Sequence, residues 1–364
     1  MAAEGNTIAP QRQSQFELLR VVSMAMIVGV HYLQGSRGGA LTALGPADIN
    51  YYIAHAFESL CIVGVGCFVL ITGYFQAQRQ TAKMNRVVSL LASMTFYGLV
   101  FYAVAVALGS VKFGLTEILM AVFPFAYGRH WFVETYILLY LLSPLINLAL
   151  IRLTERDYRT LLVALTLIVS VWPSFIRMAH TNDTGTGILT FVYLYAIGAY
   201  FSRFGLPTYR ARWLLLLWIS AATFTFAASL LTGHAWTSNF VFNVIGAVAL
   251  FLAFSKFTLS SYRVNYLASF TFCVYLIHTD YSLNTVLWRD ILRTQAFWTS
   301  PWFPVHFVGS VLVLFIAATG VDVGRRWVFC LVGPSVAGPM VRRWPMLRGV
   351  YPSDPLACNP DRCG

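Results

Sequence analysis

The chain has 364 residues, of which 58% are hydrophobic and only 11% charged, with a mean hydropathy of +0.67. Such a composition excludes a water-soluble domain with a charged shell and describes an all-α polytopic membrane protein. The net charge of +11 would suggest a nucleic-acid partner in a soluble chain, but here the positive-inside rule accounts for it and no nucleic acid is expected.

Residues 1–15 are polar, carry Pro10 and Arg12, do not resemble a cleaved signal and read as a cytoplasmic N-terminal tail. Beyond them, apolar stretches of about 18 to 22 residues between polar or Gly/Pro breaks predict about ten transmembrane helices. In chain order these are Phe16–Leu33, Tyr52–Phe75, Val87–Leu108, Trp131–Ile151, Tyr158–Trp172, Ile188–Phe204, Trp213–Leu231, Asn239–Phe254, Val264–Leu283 and Pro304–Gly324. Leu115–Tyr127, broken by Pro124, is too short to span and reads as a half-helix or interfacial segment. Residues 16–330 therefore form one transmembrane domain. Residues 331–364, rich in proline from Pro334 onward, read as an irregular cytoplasmic tail.

With the N-terminus in the cytoplasm, the inner loops collect Arg79, Lys83 and Arg86; Arg152, Arg156 and Arg159; Arg203, Arg210 and Arg212; Lys256 and Arg263; and Arg325, Arg326, Arg342 and Arg343. Outer loops keep Arg37, Lys112, Arg129, Arg177, Arg289 and Arg293. This asymmetry supports both the orientation and an even number of spans. No internal repeat or second soluble domain is visible. Of the six cysteines, Cys61, Cys67 and Cys273 fall inside spans, Cys330 near a span end, and Cys358 and Cys363 in the tail, so neither a disulfide framework nor a metal site is expected.

Charged groups within a span cost at least about 2.5 kcal/mol each on insertion scales, so each requires a partner, a wet cavity or a task. They are Arg20 and His31 on the first span, His55 and Glu58 on the second, Glu134 on the fourth, His278 and Asp280 on the ninth, and His306 and Asp322 near the ends of the last. Eleven helical steps separate Arg20 from His31, about 16 Å of depth, so one lies near a membrane face and the other deep. Arg20 reads either as a snorkelling arginine or as a ligand, and His31 as a core histidine or a catalyst. Glu58 follows His55 by three positions, and the two either neutralise each other or Glu58 orients a catalytic imidazole. Trp131 and its aromatic neighbours begin a span where an interface belt would place them, and Tyr275 and His278 share a helix face.

Together these segments resemble the acyltransferase-3 family of bacterial membrane O-acyltransferases. The first span carries that family's basic residue, ten intervening positions and histidine, as Arg20 and His31. The second ends in Phe68-Val69-Leu70-Ile71-Thr72-Gly73-Tyr74-Phe75, with Thr72 in place of the usual serine and the hydroxyl kept. His130-Trp131-Phe132, Tyr136, the Leu-Tyr-Leu-Leu-Ser-Pro run ending at Pro144, and Tyr275-Leu276-Ile277-His278 follow in the family's order. The single-domain build looks closest to the branch of enterobacterial common antigen and surface-polysaccharide O-acetyltransferases.

The resemblance implies transfer of an acyl group, usually acetyl from acetyl-CoA, to a carbohydrate hydroxyl presented outside a bacterial plasma membrane. The expected acceptor is a surface polysaccharide or a lipid-linked glycan. On this reading Arg79, Lys83 and Arg86 hold the donor's phosphates, although the positive-inside rule demands basic residues there too. Arg20 lines the donor's path, and His31 acts as general base with Glu58 as its orienting acid. A covalent acyl-imidazole at His31 stays open. Thr72, Trp131 and Tyr275 are candidates for oxyanion stabilisation and, with His278, for substrate contact; no metal is expected. The alternative class is a transporter or flippase for a sugar or lipid-linked intermediate, against which stand the missing repeat and the chemistry gathered on the first span.

Overall fold

A computed structural model describes residues 13–176 and 179–343, with side chains described as far as Val328 in the last helix. Every regular element among the described residues is helical. In chain order they are α1 (Ser14–Leu33), α2 (Ala40–Ala43), α3 (Ile49–Cys61), α4 (Gly64–Gln76), α5 (Met84–Ala107), α6 (Leu115–Val122), α7 (Trp131–Leu150), α8 (Glu155–Leu165), α9 (Trp172–Phe175), α10 (Ile188–Phe204), α11 (Ala211–Ser229), α12 (Val241–Phe254), α13 (Tyr262–Ala268), α14 (Thr271–Thr279) and α15 (Phe303–Arg343). A π-helical stretch, Thr166–Val171, joins α8 to α9.

Eight of these units are long and apolar enough to cross a membrane: α1, α3 with α4, α5, α7, α8 with α9, α11, α12 with the turn before it, and α15. The other two expected spans correspond to the 17-residue apolar α10, shorter than the eight, and to the interrupted pair α13 and α14. The half-helix expected after the third span is α6, which crosses nothing.

Successive transits run antiparallel, and contacts between loops identify the two ends. At one end the Ser14 amide donates to Leu259 O (3.2 Å), Asn147 Nδ2 to Gln76 O and Arg79 O (2.8 Å each), and Arg203 to Leu150 O (2.6 Å). At the other, Trp298 Nε1 donates to Gly38 O (3.0 Å) and Asn50 Nδ2 to Trp298 O and Ser300 O (2.8 Å each). The basic clusters from Arg79 to Arg326 all lie at the Ser14 end, so the charge asymmetry read from the loops is an asymmetry of the folded bundle.

α1 is the central helix and packs against α3, α4, α12, α13, α14 and α15. The closest pairing is α4 on α10. A Cβ at Gly73 would lie 2.2 Å from Tyr195 O, and one at Gly198 would lie 2.3 Å from Leu70 O, so two glycines let the backbones meet. Without a hydrophobic force between helices in lipid, such small-residue contacts give association its van der Waals energy. Pro144 inside α7 removes the amide that would bond Tyr140 O, and the Ser143 hydroxyl donates to that carbonyl instead (2.8 Å), which explains why a Ser-Pro pair is tolerated in a span.

Asp322, fully buried on α15, accepts from Arg325 Nε (2.6 Å), Arg326 Nε (2.7 Å) and the Tyr97 hydroxyl (2.5 Å). Arg326 also donates to Ser269 O (3.0 Å), where α13 gives way to α14. One carboxylate thus ties α15 to α5 and to the broken transit. The tail differs from expectation: α15 continues to Arg343, so residues 331–343 are helical rather than irregular. The apolar run Trp327 to Val332 carries the helix past the point where Pro334 would predict an end, since one proline deletes a single donor. Residues 344–364, with Cys358 and Cys363, lie outside the described residues.

Candidate active site

Ile27, Val30, His31 and Gln34 recur at helical spacing on one face of α1, and this face borders a cavity of about 160 Å3. Cys61, Ile62 and Val65 close it from the α3–α4 junction, Trp131 and Phe132 from the first turn of α7, and Tyr275 from α14. Two loops complete the wall with Thr184 and Thr186, and with Trp236 and Ser238. The volume suits reacting groups rather than a whole donor and acceptor.

His31, 8% exposed, is hydrogen-bonded through Nδ1 to Nε2 of the fully buried His278 at 2.8 Å. His278 Nδ1 lies 2.5 Å from Val274 O. A carbonyl can only accept, so His278 Nδ1 carries the hydrogen, and in the neutral ring its Nε2 must accept. His31 Nδ1 is therefore the donor, and its lone pair resides on Nε2, the nitrogen left for the cavity. This chain of two imidazoles and a carbonyl sets one tautomer, as carboxylates do for histidines elsewhere. Arg37, in the loop after α1, donates to His278 O (3.3 Å) and braces the end of α14. Burial lowers the Arg37 guanidinium below its ordinary value, offset in part by Tyr275 and Asp280.

His130, just before α7, forms a second layer. The Thr279 hydroxyl donates to Tyr275 O (2.7 Å), so it accepts from His130 Nδ1 (3.1 Å). Burial, with the positive charges of Arg37 and Arg129, pushes the His130 imidazole down to about 4, which keeps this layer neutral at physiological pH.

Of the residues singled out from the sequence, His31, Trp131 and Tyr275 meet at the cavity, and His278 touches His31 rather than the open space. Among the described residues no acid is hydrogen-bonded to the His31 ring. Glu58 is fully buried one layer behind, with Oε1 3.5 Å from Gln34 Nε2 and Oε2 without a hydrogen-bond partner among the described residues. His55 does not neutralise it: His55 Nδ1 donates to Tyr51 O (2.8 Å), and its ring packs against Trp236 at 5.4 Å. Thr72 donates back to Phe68 O within α4 (2.9 Å) and lies outside the cavity lining. Glu134 accepts from the His130 amide (3.2 Å), and Asp280 caps the turn after α14 through Ser282 N (2.8 Å).

The four cations expected to hold a donor are remote from the cavity. Arg20 is paired with Glu17 at 2.6 Å, and Arg79, Lys83 and Arg86 are exposed around the start of α5. Sequence reasoning did not single out Gln34, Cys61, Thr184, Thr186, Trp236 or Ser238. The α1 spacing flags Gln34, but a Thr/Asn/Asp/Gly loop reads only as a turn.

Residues 13–319 match the model of a protein family described as an acyltransferase domain. No curated protein matches the chain, and no solved structure does. With a helical bundle of long apolar helices enclosing a paired histidine, and a family match over most of its length, the chain belongs to the acyltransferase-3 family of membrane acyltransferases.

Proposed function

We propose that this protein is an O-acetyltransferase of a bacterial plasma membrane, moving acetyl from cytoplasmic acetyl-CoA to a hydroxyl of a surface polysaccharide or lipid-linked glycan. The observation that carries the reading is the hydrogen-bond order from Val274 through His278 to His31, which leaves a basic nitrogen at the cavity. His31 Nε2 takes the proton of the acceptor hydroxyl as its oxygen attacks the thioester carbonyl. The tetrahedral intermediate collapses with cleavage of the C–S bond, and Nε2 returns the proton to the departing thiolate. The ring ends neutral, in the tautomer it began with. A positioned base of this kind contributes about 100- to 10,000-fold. Tyr275 and Trp131 line the same space as donors toward the developing oxyanion.

Several features support a donor arriving from the Ser14 end. Its phosphates match the cations concentrated there, Arg79, Lys83 and Arg86, with Arg20 bordering the same end. α7 carries Phe132, Tyr136 and Tyr140 at four-residue spacing between those cations and the cavity. Phe132 stacks on Tyr136 at 6.0 Å, the Tyr136 hydroxyl accepts from Arg86 (3.1 Å), and the Arg86 guanidinium sits 5.3 Å from the Tyr140 ring centroid. Glu58 acts on this reading through Gln34 rather than on the imidazole.

The test uses the full chain in membrane vesicles with radiolabelled acetyl-CoA and envelope glycans. Label is expected in the glycan fraction, with His31→Ala lowering transfer at least about 100-fold while the protein stays in the membrane at normal level. Undiminished transfer by that variant overturns the mechanism, and label left entirely on CoA by the native protein overturns the activity.

A further inference from the structure

The outer wall of the cavity comes from segments that the mechanism above does not use. One joins α9 to α10 and carries Thr184 and Thr186; the other joins α11 to α12 and carries Trp236 and Ser238. They are cross-braced. Asn239 Nδ2 donates to Val169 O (3.1 Å) and to Asn182 Oδ1 of the facing loop (3.2 Å), and His234 Nε2 donates to Pro173 O (2.6 Å). The Asp183 carboxylate takes the Gly185 amide (3.1 Å) and both the amide (2.9 Å) and hydroxyl (2.5 Å) of Thr190. Asn243 Nδ2 holds Ala235 O and Thr237 O at 2.8 Å each. Where the loops touch, Gly185 has φ +76° and a Cβ there would lie 2.4 Å from Ser238 N, so only glycine fits. Such bracing holds side chains in place before any ligand arrives.

What the described loop residues present to the cavity is uncharged and mixed. Trp236 is fixed against the His55 ring, and Ser238 adds a hydroxyl to the lining. Thr184 and Thr186 add two hydroxyls, Gln34 an amide, and Trp131 a second indole. Among the described residues, the titratable side chains that line the space are His31, Cys61 and Tyr275, with no acid, lysine or arginine. A flat apolar surface beside hydroxyl and amide groups matches a sugar ring, whose C–H face packs on an indole while its rim hydroxyls pair with neutral polar groups. A charged substituent would be desolvated here with no oppositely charged side chain in the described lining, and Arg37, the cation behind the histidines, is bonded to the His278 carbonyl instead.

We infer that Trp236, Ser238, Thr184 and Thr186 form the acceptor subsite, and that it selects an uncharged glycosyl residue whose hydroxyl is thereby placed at His31. The inference rests on the acetyl-transfer reading and names the acceptor's chemistry. Selectivity then lies in two loops distinct from the helices that carry the histidines, so acceptor binding and chemistry are separable by mutation.

The test uses the purified full chain in lipid nanodiscs with radiolabelled acetyl-CoA. The acceptors are neutral methyl glycosides of glucose, galactose, mannose, rhamnose and N-acetylglucosamine, set beside glucuronate, glucosamine and glucose 6-phosphate, with envelope glycans as a positive control. Neutral glycosides are expected to accept acetyl and the charged ones not. Trp236→Ala should raise the acceptor KM about tenfold or more, equivalent to the loss of one good stacking contact, with the acetyl-CoA KM unchanged. Trp236→Phe should restore most of the affinity, and Ser238→Ala gives a second reading should Trp236→Ala melt early. Equal use of charged glycosides, or a change in acetyl-CoA KM in place of acceptor KM, overturns the subsite. Labelling of envelope glycans but of no methyl glycoside also overturns it, whereas a native protein that labels no acceptor at all overturns the activity itself.

Discussion

At the residue scale, two histidines 247 positions apart act as one unit because the tautomer of His278 fixes that of His31. Neither ring alone states which nitrogen is basic; the Val274 carbonyl decides it by accepting from His278. His278 is thus a positioning residue, and its substitutions separate orientation from packing. His278→Phe keeps a buried ring and leaves the His31 Nδ1 hydrogen without an acceptor, so kcat should fall by on the order of 100-fold with little change in either KM. His278→Gln, whose amide oxygen can accept the same hydrogen, should recover part of that loss. Equal kcat for the two variants in an acetyl-transfer assay would show that only bulk matters there. Glu58 illustrates the limit of spacing arguments: three residues from His55 on one helix, it turns to Gln34 because His55 has already bonded the Tyr51 carbonyl.

At the element scale, the helices are set by transfer energy and their contacts by small residues. The Ser143-Pro144 pair was legible as part of a motif, and its reason is the Tyr140 carbonyl that the serine satisfies. The close seam of α4 on α10 was not, because Gly73 and Gly198 belong to segments 125 positions apart with no periodic signal between them. Gly198→Leu should force those backbones apart and lower stability by roughly 1–3 kcal/mol or more, read as an earlier thermal melt in detergent. An unchanged melting temperature would mean that the seam contributes nothing. The extension of α15 to Arg343 was also hidden, since proline predicts a boundary only where the neighbouring turns have no other support.

At the scale of the whole molecule, the segregation of basic loops to the Ser14 end predicts, by the positive-inside rule, that this end faces the cytoplasm. An epitope inserted at Gly109, in the exposed turn after α5, should bind antibody on intact spheroplasts, and one at Gly205, after α10, only after permeabilisation. The reverse pattern would put the loop-lined mouth of the cavity on the cytoplasmic side and invert the proposed roles of its two ends. The same antiparallel succession brings the ends of α1 and α14 together with the start of α7, so residues from three distant motifs border one small space.

The sequence by itself determined the helical class, nearly all the boundaries of the long apolar helices and the family, and it singled out His31, Trp131, Tyr275 and His278, which the fold brings together at or beside one cavity. These follow from terms that add along the chain, namely the cost of each side chain in lipid and the order of short motifs. Only the tertiary structure decided that His31 is held by His278 and not by an acid, that Arg20 pairs with Glu17, and that two loops wall the cavity. Those outcomes depend on helix rotation and close backbone approach, which are settled by contacts between segments remote in sequence and leave no local pattern to read.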